Sequence, residues 1–177
     1  MPKMVFLGSN DPYWTVDAVK NYIDEIPGTK FTAYSTNAGH DLDDEAITSL
    51  EAFFHQTING AKYPKFEYTP RQLEDCAMID IKANKRLLEE VIVWEAVSEN
   101  KDFRKCQFIP RTVDGVVGKK SFSVKVDYPK QGNKAFVVML KYKHPSKEGT
   151  YNISTRMYTA DNDELFEEAF VSKQSEK

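Results

Sequence analysis

The sequence lacks long hydrophobic runs, and this absence excludes whole classes of protein. A transmembrane helix requires about 18 consecutive apolar residues, and no segment of the chain approaches that length. The apolar stretch at residues 4–7 is also too short for the core of a secretory signal peptide. We therefore expect neither a membrane span nor an export signal within this sequence.

The chain has little excess charge of either sign and no basic block. Its 24 lysines and arginines nearly balance 27 aspartates and glutamates, which gives a net charge of −3. Proteins that bind nucleic acids or anionic membranes usually carry a clustered basic surface. We therefore expect neither of these as a partner.

Cysteine is scarce, and no cluster of metal ligands stands out. Cys76 and Cys106 are too few for a disulfide framework, which favours two free thiols. The acidic run at residues 41–45 lacks the glycine that a calcium loop needs at its turn, so it favours a charged helix start. The sequence predicts no metal site and no cofactor.

The first part of the chain has the pattern of a parallel sheet with crossovers. Hydrophobic residues make up 41% of the whole chain, which is enough for a packed core. Strands are predicted at residues 3–8 and 30–35, and each is followed by a helical pattern. The first helix begins near Thr15 and has apolar positions at Val16, Val19, Ile23 and Ile26. The second is capped by Asp43 or Asp44, ends at Gly60, and has an apolar stripe of Ile47, Leu50, Phe54 and Ile58.

From residue 63 onwards the pattern changes to short β segments separated by turns. Seven strands are predicted, at residues 65–69, 76–83, 90–98, 103–109, 121–128, 134–142 and 151–159. This number of strands over about one hundred residues favours an antiparallel β-sandwich. After it, Leu165, Phe166 and Phe170 are predicted to form a short helix. We therefore expect an α/β part at residues 1–62, a more stable seven-stranded sandwich at 63–170, and a frayed tail at 171–177.

Two chemically active side chains follow the two predicted parallel strands. Asp11 comes three positions after Gly8, and His40 follows Gly39 at the end of the next strand. The carboxyl ends of such strands are where ligands and catalytic groups collect. An aspartate followed by a histidine is also the order in which α/β-hydrolases supply the acid and the base of a Ser-His-Asp triad.

Each of these residues also has a purely structural interpretation. Asp11 precedes Pro12 and is typical of a turn, and His40 is typical of an exposed loop before a helix. Their paired placement at adjacent strand ends favours the functional interpretation. Tyr13 and Trp14 follow Asp11, and they would either line a substrate pocket or pack in the core.

The third member of such a triad is missing from the sequence. No serine has glycine at both second positions, as the Gly-x-Ser-x-Gly turn of a hydrolase nucleophile requires. Cys76 and Cys106 lie in predicted strands far from His40 in the sequence. Because acyl transfer needs a nucleophile, we do not expect the isolated chain to be an active enzyme.

Several segments together resemble the PhoPQ-activated pathogenicity-related family, which includes an autocrine proliferation repressor. They are residues 8–18 (GSNDPYWTVDA), 37–40 (NAGH), 94–96 (WEA) and 102–104 (DFR). The resemblance implies an α/β-hydrolase-like domain followed by a small β-sandwich, in proteins that are generally secreted. By the resemblance, Asp11 and His40 match the family's acid and base positions.

The resemblance also implies a longer protein. Family members carry a preceding region with earlier sheet strands and a serine on a glycine-flanked turn. We therefore expect this chain to be the C-terminal part of a serine-hydrolase-like protein, extracellular by resemblance, whose N-terminal region is its main partner. The alternative is a non-catalytic secreted signalling protein that uses the sandwich to bind a cell-surface protein or peptide. The strand at residues 3–8 would be an exposed sheet edge prone to self-association.

Overall fold

The computed structural model describes residues 1–167, which form two β-sheets and one α-helix. The strands are β1 (Lys3–Gly8), β2 (Lys30–Ser35), β3 (Phe66–Gln72), β4 (Cys76–Ala83), β5 (Leu88–Ser98), β6 (Ile109–Thr112), β7 (Ser121–Asp127), β8 (Asn133–Lys143), β9 (Thr150–Ser154) and β10 (Tyr158–Ala160). The helix α1 spans Asp44–Ile58, and a 3-10 helix spans Ala18–Asn21. The described part of the chain is thus mostly β, and its helices lie within the first sixty residues.

The larger sheet contains both the first and the last strand of the described residues. Its strand order is β1-β2-β9-β8-β5-β6, and β10 also pairs with β8. β1 and β2 are parallel, whereas β2 meets β9 antiparallel at Thr32 and Ser154. The Thr32 hydroxyl adds a hydrogen bond of 2.7 Å to the Ser154 carbonyl. Strands from both sides of the predicted boundary between residues 62 and 63 therefore belong to one sheet. That this boundary divides two domains stays a prediction.

The smaller sheet consists of β3, β4 and β7 and encloses the main core together with the larger sheet. Ile79 and Ile81 of β4 alternate with more polar neighbours, as expected for a strand with one buried face. They share the core cluster with Val93 of β5 and Val138 of β8. Alternation of apolar residues therefore determines which face of β4 is buried.

α1 begins where the sequence predicts. Asp43 is the N-cap, and its carboxylate accepts a hydrogen bond of 2.9 Å from the Ala46 N–H. The buried residues of the helix, however, are the small and polar Ala46, Ser49, Ala52 and Gln56. The apolar stripe Ile47, Leu50, Phe54 and Ile58 is 50–63% exposed. Small residues let the helix lie close to β9, where the Ser49 hydroxyl accepts a hydrogen bond from the Asn152 N–H.

The predicted first helix is wrong in extent. Only Ala18–Asn21 is helical, as a 3-10 turn. Val19 and Ile23 still pack in a second core cluster, which forms around Tyr34. Tyr22, Ile23, Asp24 and Ile26 have lower helix propensity than alanine or leucine, and Ile23 is buried without the helix continuing through this segment.

Three other predictions from the second part also need correction. Residues 103–108 form a loop instead of a strand, because Phe103 and Phe108 insert into the second core cluster from a turn. The segment 151–159 divides into β9 and β10. Leu165 makes an isolated bridge to Ala160, and residues 161–167 contain no helix. Phe170 and the predicted tail lie outside the described residues.

Candidate active site

The structure brings Asp11 and His40 into direct contact. His40 Nδ1 lies 2.8 Å from Asp11 Oδ2, although the residues are 29 positions apart in the sequence. β1 and β2 are parallel and in register as far as Gly8 and Ser35, so the loops that follow them leave the sheet side by side. The parallel pairing of β1 and β2 therefore brings these two loops together.

The two loops are closely joined to each other. The Asn10 N–H donates to the Ala38 carbonyl at 2.9 Å, and the Asn37 N–H donates to the Ser9 hydroxyl at 2.8 Å. A Cβ atom on Gly8 would lie only 2.2 Å from the Gly39 carbonyl oxygen. Glycine at position 8 thus permits the close approach that sets the distance between the two loops.

Asp11 lies in an environment that favours its ionised form. Its side chain is 13% exposed, and the Tyr13 N–H donates to its second oxygen at 2.8 Å. Burial by itself raises the pKa of the Asp11 carboxyl, but hydrogen bonds from His40 and the backbone bring that pKa below its ordinary value of 3.8. Asp11 is therefore a carboxylate at neutral pH.

The state of Asp11 determines the tautomer of His40. A carboxylate accepts hydrogen bonds but cannot donate them, so Nδ1 of His40 carries the hydrogen of their shared bond. Nε2 of a neutral His40 then holds the free electron pair. The His40 side chain is 58% exposed, and the Tyr13 ring meets it edge-on with centroids 5.1 Å apart. The arrangement can accept a proton at Nε2.

A pocket of about 400 Å³ opens beside this pair. Asp11, Trp14 and His40 line it, so one of the two predicted substrate-binding residues is at the pocket. Tyr13 lies beside the His40 ring, outside the pocket lining. The other large apolar residues around the pocket are Phe6, Leu7, Val16, Tyr22 and Leu42. The pocket thus combines an apolar wall with one ionisable pair.

The described residues place no nucleophile beside His40. Among residues 1–167, no serine, threonine or cysteine is hydrogen-bonded to its ring. Ser9 is close in sequence to Asp11, but it is buried, and its hydroxyl donates to Asn10 Oδ1 at 2.7 Å. The Ser9 hydroxyl therefore serves to connect the two loops.

Two asparagines of the site were not predicted from the sequence. Asn10 and Asn37 connect the loops of Asp11 and His40 to the segment at residues 103–108. Asn37 has a φ of 61°, a backbone conformation that asparagine tolerates better than most residues. Their positions just after two predicted strands, within the Gly-Ser-Asn-Asp and Asn-Ala-Gly-His segments, were the available signal.

Other site classes find no support in the part of the chain that the structure describes. Residues 1–167 contain no group of three or more histidine, cysteine, aspartate or glutamate side chains that could hold a metal ion. No helix within this range is long and apolar enough to cross a membrane. Cys76 and Cys106 are free thiols, the first buried and the second half-buried.

The chain also matches a known protein family. Residues 1–104 match the family described as PhoPQ-activated pathogenicity-related protein, and this range includes both loops and the start of the 103–108 segment. The chain belongs to this family. Searches of the curated proteins and of the solved structures give no match. The family assignment thus confirms the resemblance that the sequence segments predicted.

Proposed function

We propose that this chain supplies the acid and the base of a Ser-His-Asp hydrolase that cleaves ester or peptide bonds. His40 is the general base, and Asp11 orients it. The observation that carries the proposal is the 2.8 Å contact between His40 Nδ1 and Asp11 Oδ2 on loops that follow two parallel strands. The order of Asp before His and the family membership support it.

In the proposed mechanism, Nε2 of His40 takes the proton from a serine hydroxyl as the serine oxygen attacks the carbonyl carbon of the substrate. The imidazolium that forms is stabilised by the Asp11 carboxylate at Nδ1. Nε2 then gives the proton to the leaving alcohol or amine, which leaves an acyl-enzyme. A water molecule, deprotonated by the same nitrogen, hydrolyses the acyl-enzyme in the second half of the reaction.

The pocket beside His40 would hold an apolar group of the substrate. Trp14 lies at its rim, and apolar side chains of β1 and the 3-10 region form its wall. Binding sites for small molecules combine an apolar lining with a few placed polar groups in this way. Tyr13 would contact the substrate near the His40 ring, which it already meets edge-on.

The serine would come from outside this sequence. We propose that it lies in an N-terminal region of a longer hydrolase-like protein, on a strand beside β1, whose outer edge is free among the described residues. The same free edge makes self-association a property of the isolated chain. We also propose, from the family membership, that the protein acts outside the cell.

The first test is the intact mass of the native protein, captured from its source with an antibody against residues 63–167. A mass well above 20.3 kDa would support a longer protein, and its serine could then be labelled with a fluorophosphonate probe. In that protein, His40→Ala should lower kcat towards ester substrates by about 10⁴-fold or more, because no other base can replace it.

The matched controls are His55→Ala on α1 and His144→Ala in the turn after β8, which should leave kcat unchanged. Esterase activity that survives His40→Ala would contradict the proposal. A native mass of 20.3 kDa, with no fluorophosphonate labelling, would favour the alternative of a non-catalytic secreted protein that binds a cell-surface partner.

A further inference from the structure

The segment at residues 103–108 connects β5 to β6 and passes beside both loops of the proposed catalytic pair. It is fixed to the protein by Phe103 and Phe108, which are 2% and 0% exposed and pack in the second core cluster. A turn closed by the Cys106 N–H and the Phe103 carbonyl holds its shape. The buried side chains therefore hold the backbone carbonyl groups of this segment in place.

Asn10 binds this segment directly before Asp11 in the sequence. Its Nδ2 lies 3.0 Å from the Phe103 carbonyl oxygen, 3.3 Å from that of Arg104 and 2.8 Å from that of Cys106. Its Oδ1 accepts a hydrogen bond from the Ser9 hydroxyl. Each side of the amide group thus has partners: its oxygen accepts from Ser9, and its NH₂ group faces three carbonyl oxygens.

Asn37 binds the same segment three positions before His40. Its Nδ2 donates to the Phe108 carbonyl at 3.0 Å, and its Oδ1 accepts from the Phe108 N–H at 2.7 Å. The amide group of Asn37 thus bonds to both the N–H and the carbonyl of Phe108, as a residue of a neighbouring β-strand would with its own backbone. One segment from the second part of the chain therefore binds both loops of the site.

We propose that Asn10 and Asn37 are positioning residues, which hold Asp11 and His40 at hydrogen-bond distance by anchoring their loops to the segment at residues 103–108. Catalytic geometry is sensitive to displacements of about 1 Å, so bonds from both loops to one packed segment would help to keep Asp11 and His40 in position. The inference rests on the proposed function for its catalytic meaning. The Asp11–His40 contact itself can be measured in this chain alone, without a serine or a substrate.

The test measures the pKa of the Asp11 carboxyl by carbon NMR in Asn10→Ala and Asn37→Gly. Glycine at position 37 keeps the positive φ accessible, and both changes are neutral, so direct charge effects are absent. We expect the pKa of Asp11 to rise towards 3.8 in both variants as the His40 hydrogen bond weakens. The matched control is Asn100→Ala, whose side chain is bonded within the 98–102 turn only.

An unchanged Asp11 pKa in folded Asn10→Ala and Asn37→Gly proteins would overturn the inference. Should either variant fail to fold, two glycines inserted between the exposed Arg104 and Lys105 would displace the anchor without altering the loops. The insertion should raise the pKa of Asp11 in the same way, and a folded insertion variant in which it stays low would equally overturn the inference.

The inference and the proposed function fail separately. In an active longer protein, Asn37→Gly should lower kcat by about 10²-fold with little change in KM, because the substrate pocket is not altered. If the pKa of Asp11 rises in the variants while His40→Ala stays active, the anchor is real and the hydrolase proposal is wrong. If His40→Ala is inactive and the pKa is unmoved, the hydrolase proposal stands without the anchor.

Discussion

Asp11 is the residue whose properties depend most on its neighbours. The same carboxylate accepts hydrogen bonds from the His40 ring and from the Tyr13 N–H, and its side chain is largely withdrawn from water. A sequence specifies the turn that places an aspartate after a strand, since Pro12 follows it. Its partner His40 is 29 positions away in the sequence, and the pairing of β1 with β2 brings the two residues together.

This environment predicts how stability depends on pH. Because the pKa of Asp11 is lowered on folding, its ionised form stabilises the folded state. That contribution is fully present above the unfolded pKa of about 3.8 and is lost as the pH falls through the lower folded value. We expect Asp11→Asn to be less stable than the unmodified chain at pH 6 and the difference to shrink below pH 3.8.

Urea unfolding from pH 6 to pH 2.5 measures this difference. Asp41→Asn is the control, since Asp41 lies in the same loop region with an exposed side chain. A stability gap between Asp11→Asn and the unmodified chain that stays constant over the whole pH range would contradict the hydrogen-bonded, ionised state of Asp11.

At the scale of single elements, α1 presents its apolar stripe to solvent. The spacing of Ile47, Leu50, Phe54 and Ile58 is typical of a helix that packs through these residues. In the described structure the opposite face packs instead, because Ala46, Ser49 and Ala52 allow a closer approach to β9 and β2. Periodicity predicted the helix and its cap, but the face that is buried depends on the distance to the sheet.

The exposed stripe predicts the effect of mutations in α1. Phe54→Lys should change the free energy of unfolding by about 0.5 kcal/mol or less, because the ring is 61% exposed. Urea unfolding followed by circular dichroism measures this change. The opposite control is Ala52→Leu, which should destabilise the fold by about 1–3 kcal/mol because Ala52 is 0% exposed.

A loss of stability in Phe54→Lys as large as that in Ala52→Leu would contradict this orientation of α1. It would mean that the stripe packs against the body of the protein.

At the scale of the whole molecule, the larger sheet connects residues 1–62 with residues 63–167, which the sequence pattern predicts as separate domains. Phe31 of β2 and Ala52 of α1 belong to the same core cluster as Ile153 of β9. The segment at residues 103–108 adds a second connection through Asn10 and Asn37. Contacts of this extent favour cooperative unfolding of the two parts.

We therefore expect residues 1–62 and 63–167 to unfold in one transition. The chain offers one tryptophan in each part, Trp14 and Trp94, so Trp94→Phe and Trp14→Phe variants report on each part separately by fluorescence. Coincident denaturation curves would support a single unit. Separate curves, or a protease-resistant piece that begins near residue 63, would support the predicted boundary instead.

The sequence by itself determined the local features of this protein. It specified most of the strands, the capped start of α1 and the placement of Asp11 and His40 just after two strands, because apolar alternation, capping residues and turn residues act over a few positions. Short segments of the sequence also indicated the family, and the family match confirms that prediction. The predictions of the first helix and of the strand at 103–109 were wrong, because the apolar side chains in both segments are buried without regular backbone hydrogen bonding.

The tertiary structure alone decided which of these features meet. The parallel pairing of β1 and β2 brings Asp11 to His40, and the close approach at Gly8 sets the distance between their loops. The junction of β2 with β9 and the position of residues 103–108 depend on contacts between residues more than seventy positions apart. Such contacts form only when several elements pack at once, so no local pattern in the sequence encodes them.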